Sequence, residues 1–175
     1  MATSGIMEAV HASGGSMAEH AGRYLTFTLG QEHYGVAILR IQEIVGMMHV
    51  THVPRAPDYI HGVVNLRGRV IPVVDLRTKF LMPGAENTER TCIVVVQVPQ
   101  GSSVVTMGVR VDEVSEVLQI SSEQIEPAPS FGNGIGSDFI LAMGKVRDKV
   151  VMLLDIDRVL AGAELPPAQE TTFME

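Results

Sequence analysis

One pattern is written twice along this chain, and that repetition restricts the fold more than any other feature. The segment GVAILRIQEI (35–44) aligns without gaps with GVRVDEVSEV (108–117). Gly35 meets Gly108, Ile38 meets Val111, Ile41 meets Val114 and Glu43 meets Glu116. Further on, IHGVVNLRGRVIPVVDLRTKF (60–80) aligns with ILAMGKVRDKVVMLLDIDRVL (140–160), bringing Arg67 to Arg147, Val70 to Val150 and Asp75 to Asp155. Branched apolar residues match easily by chance. The matched Gly, Glu, Arg and Asp positions, in the same order in both halves, favour duplication. An Asp closing each apolar run is a favoured helix N-cap, because its oxygen accepts from the first free amides. Each half is therefore expected to end in a short capped helix, and the whole to be two similar small β-barrels packed together.

Local patterns support a β protein. In Tyr24–Leu29, Leu25, Phe27 and Leu29 point one way and the threonines the other. A turn follows at 30–33, and a second strand is predicted over 34–38. Residues 41–45 fit a short helix or a further strand. The runs 70–74, 92–98, 104–111 and 150–154 are rich in branched residues that suit a pleated sheet. Pro72 lacks an amide proton, so its strand is expected at an edge or at a bulge. Asn65-Leu66-Arg67-Gly68 lies between two apolar runs and reads as a hairpin tip. Asn and Gly explain the turn, and Leu66 is expected to point inward. Arg67 is left without a local backbone duty. It is either a solvated turn charge or a set of five donors presented to a partner's acidic group.

Composition removes several functions. The formal net charge is −7, with no run of Lys or Arg, so the basic footprint of a nucleic-acid binder is missing. The apolar runs are far too short to span a bilayer, and no signal-peptide pattern opens the sequence. Cys92 is the single cysteine, which excludes an intrachain disulfide and fits a reducing cytoplasm. Residues 1–22 and 163–175 have the small, Gly-, Ser- or Pro-rich composition of mobile tails. Met17 is a possible alternative start.

No catalytic constellation assembles. His49 and His52 are three apart, which in a strand places them on opposite faces, and no third metal ligand is evident. Cys92 sits in the apolar run RTCIVVVQV and reads as a buried small hydrophobe rather than a nucleophile. The loop FGNGIGSDF (131–139) lacks the Lys-Ser/Thr ending of a phosphate loop. Asp155 and Asp157 are two apart, and Asp155 already has a capping role. The elbow pattern G-x-S-x-G is absent.

Taken together, YLTFTLGQEHYGVAILRIQEIVG, PRAPDYIHGVVNLRGRVIPVVDLRTKF and VDEVSEVLQISSEQIEPAP closely resemble the CheW family of bacterial chemotaxis coupling proteins, over about residues 23–161. The resemblance implies an all-β fold with short helices. Two SH3-like five-stranded β-barrel lobes would share a core within a domain at 23–162. Lobe one would cover about 33–100 and lobe two about 101–160, the first strand being shared. It implies no catalytic activity, no cofactor and no metal.

The implied partners are the cytoplasmic tip of chemoreceptors and the regulatory domain of the histidine kinase CheA. The chain would be a monomer alone and oligomeric within receptor arrays, cytoplasmic at the inner face of the membrane. By position, Ile41, Glu43, Asn65, Leu66 and Arg67 would line or border the receptor groove, with Cys92 beside it. Kinase contacts would fall near QIEPAPSF, with Phe131 as an apolar anchor. Glu126 stands where enteric members carry a basic residue, so a compensating base on the partner is one expectation. An adaptor of the same fold in another pathway, such as surface motility, is the alternative. The chain is too short to hold a receiver domain beside the coupling domain, which argues against the larger coupling-plus-receiver relatives.

Overall fold

Each repeat hands its leading strands to the other. The computed structural model describes residues 18–129 and 137–163. The first half runs through β1 (Gly22–Leu29), β2 (Glu32–Ala37), β3 (Ile41–Gly46), β4 (Ile60–Leu66), β5 (Arg69–Asp75) and α1 (Leu76–Lys79). The second half runs through β6 (Cys92–Gln100), β7 (Ser103–Val111), β8 (Glu113–Ile120), β9 (Ile125–Glu126), β10 (Ile140–Val146), β11 (Lys149–Leu154) and α2 (Ile156–Val159). One sheet has the order β8-β1-β2-β11-β10-β9 and the other β3-β6-β7-β5-β4. Strand by strand the two correspond: β8 to β3, β1 to β6, β2 to β7, β11 to β5 and β10 to β4. The sequence alignment holds at the level of register, since Gly35 faces Leu153 across a parallel pair and Gly108 faces Val73.

The expected lobe limits of 33–100 and 101–160 are therefore corrected. β2 belongs to the sheet built mainly from the second half, and β7 to the sheet built from the first. Chain reach explains this. β3 and β7 are both antiparallel to β6, so they run the same way. If β2 took β7's place beside its own β5, it would lie parallel to β3. The chain would then have to return along a strand of about 20 Å. Only Ile38–Arg40 joins β2 to β3, and only Asp112 joins β7 to β8. Three residues reach about 10 Å, so the chain continues forward into the other sheet.

The shared core lies where the exchanged hairpins face each other. Leu25, Phe27, Leu29 and Val36 of one hairpin meet Val94, Val96, Met107 and Val109 of the other, all nearly inaccessible to solvent. Leu76 of α1 and Ile156, Val159 and Leu160 of the α2 region close its ends. Each sheet also has a smaller cluster of its own, around Ile120 and Leu153 in one and around Val64, Ile71 and Ile93 in the other. At the chain ends, Ala21 packs on the first of these and Ala163 is buried in the shared core. The folded part thus extends past both expected tail limits.

Pro72 is not at an edge. β5 lies between β7 and β4, and the parallel pairing to β7 begins only at Val73, one residue beyond the proline. The missing amide therefore faces a stretch where no ladder has formed. The expected irregularity sits opposite, as a register shift between Ile60 and Gly62 of β4.

Both capped helices form. The Asp75 carboxylate accepts from the amide of Arg77 at 3.0 Å, and that of Asp155 from Arg158 at 3.3 Å. Two ion pairs tie the helices to the sheet-switching junctions. Arg77 of α1 holds Asp112 at 2.6 Å, and Asp157 of α2 takes Arg40, with one of their hydrogen bonds at 3.2 Å. Polarity is reversed between the two. Burial alone would raise the Asp112 carboxyl. The hydrogen bonds from Arg77 and from the Gly30 amide, with the nearby Arg charges, outweigh it and hold that carboxyl below its ordinary range.

Three outcomes are expected. A Cβ on Gly108 would lie 2.7 Å from the Ile93 side chain, against 3.2 Å from Leu153 at the equivalent Gly35. Gly108→Ala should then cost about 1–3 kcal/mol through overpacking, and Gly35→Ala less, in urea melts. Asp155→Ala should cost about 1 kcal/mol as a lost cap. Asp75→Ala should cost more, because Asp75 also lies 3.6 Å from the buried Arg110; removing one partner of a buried pair costs on the order of 3 kcal/mol. The Asp112 carboxyl is lowered on folding, so its stabilisation is complete above the ordinary Asp value of about 4 and is lost as pH falls through the lowered value. The stability gap between wild type and Asp112→Asn should be open at neutral pH and close in acid.

Candidate functional site

The β4–β5 hairpin turns on two residues. Leu66 pairs with Arg69, leaving Arg67 and Gly68 at φ 53° and 89°. Positive φ at both central positions is what a mirror-image tight turn needs to match strand twist. The Asn65 side-chain oxygen accepts from the Gly68 amide at 2.7 Å and locks the turn. Arg67 thus has a backbone duty that the sequence reading denied it. It occupies the left-handed region, which costs a non-glycine residue about 1 kcal/mol. Its counterpart Arg147, at the β10–β11 tip, has φ 59°.

The Arg67 side chain is exposed and its guanidinium bonds the Glu43 carboxylate on β3. That hydrogen bond holds the Glu43 carboxyl below the ordinary glutamate range. Gln97 donates to Gln42 at 3.1 Å beside it. The other half repeats the device, with Arg147 3.4 Å from Glu116. The matched Glu and Arg positions of the two alignments therefore meet each other in each sheet. The signal was visible as two separate matches. Their sequence distances, 24 and 31 residues, gave no reason to join them.

Asn65, Arg67 and Glu43 come together at this tip, and Val70, directly opposite Asn65, adds an exposed apolar side chain that sequence reasoning missed. Ile41 lies two residues before Glu43 on β3, but the register shift between them turns it to the opposite face, where it packs against the shared core. Leu66 and Cys92 are buried, Leu66 in the cluster of its own sheet and Cys92 in the shared core. Cys92 sits at the far end of β3, opposite Gly46, and burial pushes its thiol upward, away from a reactive thiolate. On the other sheet, Glu126 bonds Lys145 at 2.6 Å. The base that compensates it lies in its own sheet. Phe131 lies outside the described residues.

Among the described residues, no three His, Cys, Asp or Glu side chains are placed to hold a metal ion. No described helix is long and apolar enough to cross a membrane.

The arrangement has known counterparts. Residues 23–164 match the model of the CheW-like domain. The chain is 41% identical over 142 residues to the chemotaxis protein CheW of Klebsiella aerogenes, covering 81% of this chain and 83% of that protein. It is 36% identical over 140 residues to the chemotaxis protein CheW of Rhizobium meliloti, covering 80% and 88%. Its fold is similar to the crystal structure of the scaffolding protein TtCheW from Thermoanaerobacter tengcongensis, with a TM-score of 0.72, 30% identity and coverage of 81% of this chain and 93% of that one. With the family model spanning nearly all of the folded residues, the chain belongs to the CheW-like domain family of chemotaxis scaffold proteins.

Proposed function

We propose that this protein is a chemotaxis adaptor without catalytic activity, coupling the cytoplasmic tips of chemoreceptors to the histidine kinase CheA. It would work in the cytoplasm, beneath the membrane, within receptor arrays. Family membership supports the scaffold role. The single observation that carries the receptor-binding assignment is the Arg67 tip: an exposed guanidinium, held on a rigid two-residue turn by Asn65 and oriented by Glu43. Val70 supplies exposed apolar area beside it, and the half-buried Ile41, on the other face of β3, is assigned to the groove from its place at the shared core. An interface of this kind draws affinity from a few apolar anchors, while its charges set register. Leu66 supports the tip from beneath, and Cys92 is assigned to the groove's border from its place in the shared core. Glu126 and Phe131 are assigned to the kinase contact, with Glu126 acting as one half of its pair with Lys145.

The test uses two variants of one residue. Arg67→Ala removes the side chain and keeps the strained backbone; Arg67→Gly removes the side chain and relieves the strain. Both should weaken binding to a receptor-tip fragment by about 30-fold, the loss of roughly 2 kcal/mol typical of a truncated desolvated charge contact. Arg67→Gly should melt no lower than wild type. Unchanged affinity in both variants, with a lower melting temperature, would make the tip a structural feature and remove it from the receptor surface.

A further inference from the structure

A second surface lies away from the Arg67 tip and shares no residue with it. It is a cavity of 220 Å³ between the six-stranded sheet and the end of α1. Tyr34, Ile140, Met152 and Leu154 line the sheet side, with Phe80 and Phe139 beside them. The aromatic rings are fixed by stacking: Tyr34 on Phe80 and Phe80 on Phe139, each with centroids 5.7 Å apart. The volume suits one large apolar side chain.

Two features of the rim identify what fits. Leu81 is 82% exposed, on a backbone held at φ 62°. Leu81 lines the cavity yet keeps most of its side chain in water, and a peptide segment crossing the rim would cover that outer surface. Lys79 stands on the same rim, its ammonium 3.9 Å from the centroid of the Tyr59 ring and 5.5 Å from that of Phe139. Among the described residues it pairs with no carboxylate. Arg23, Arg55, Arg69 and Lys149 also pair with none among those residues; Lys79 differs from them in lining an apolar cavity with its ammonium over aromatic rings. Burial also lowers its pKa, as expected for an ammonium held partly out of water without a counter-charge. A carboxylate arriving with an apolar group would supply the missing partner.

We propose that this cavity is a docking socket for an acidic, amphipathic segment of a partner protein. The segment inserts one large apolar side chain between Phe80, Ile140 and Met152, lays its neighbouring residues over Leu81, and sets a carboxylate on Lys79. The mode is that of a helix laid into an apolar groove, with one charge fixing its register. The socket is independent of the receptor assignment of the Arg67 tip, because the two surfaces have no residue in common.

The probe is a short acetylated helical peptide with Phe and Leu four residues apart on one face and Glu beside the Phe. A twin carries Gln in place of that Glu. Each is titrated into the full-length chain while the methyl resonances of Leu81, Ile140 and Met152 are followed. The Glu peptide should saturate these shifts with about tenfold tighter binding than the Gln twin, a difference of about 1.4 kcal/mol. Lys79→Met should erase that difference without lowering the melting temperature. Leu81→Ser should weaken the peptide. 3-Phenylpropionate, which fills the cavity and covers little of the outer surface of Leu81, should bind far more weakly and respond much less to Leu81→Ser than the peptide does. The proposal is overturned if neither peptide gives saturable shifts at these methyls, or if the twins bind wild type equally. It is also overturned if 3-phenylpropionate binds as tightly as the peptide, which would mark a small-molecule site.

Discussion

The structure depends on a limit of reach. Ile38–Arg40 and Asp112 are too short to carry the chain back along a strand, so β2 runs on into β3 and β7 into β8, each time leaving one sheet for the other. Everything central follows from those two crossings. The hairpins that cross bury the shared core between them. The helices that end each repeat seal that core, and ion pairs of opposite polarity fasten the helices to the crossings themselves. The core and the ion pairs span the two repeats, so each sheet draws part of its stability from the other.

The candidate surface shows how electrostatics and backbone geometry divide their tasks. A two-residue turn is stiff, and Asn65 makes it stiffer. The long Arg67 side chain then needs only Glu43 to fix its direction. Exposed ion pairs add little to stability, so a strained residue at an exposed tip is better explained by what it presents than by what it holds together. The same Glu and Arg meet at the opposite tip, on Glu116 and Arg147.

Much of this was legible in the sequence. The repeat predicted the caps at Asp75 and Asp155 and a structural correspondence that holds to the residue at Gly35 and Gly108. The exchange was not legible. Alignment shows which strands are alike, and pairing partners are a separate matter decided by the length of the connections. Pro72 misled because the rule for proline concerns hydrogen-bonded ladder positions, and a parallel pair that starts one residue later leaves an interior strand free to hold it. Arg67 misled because the turn was credited to Asn65 and Gly68 before the register placed Arg67 itself at a positive φ. The Glu126–Lys145 pair was hidden because β9 and β10 are joined by the long segment after Glu126, and only tertiary pairing brings them side by side.

The two crossings carry a consequence for ancestry. A polypeptide holding one repeat could not complete its own sheet, because its connection would be as short as the present ones. Two copies could complete each other by trading their first hairpins about a twofold axis, which is a closed and self-complementary arrangement. A chain holding one repeat with connections this short would therefore complete its sheets only as an intertwined homodimer. In the present protein the segment between α1 and β6 joins the two repeats and makes that exchange intramolecular.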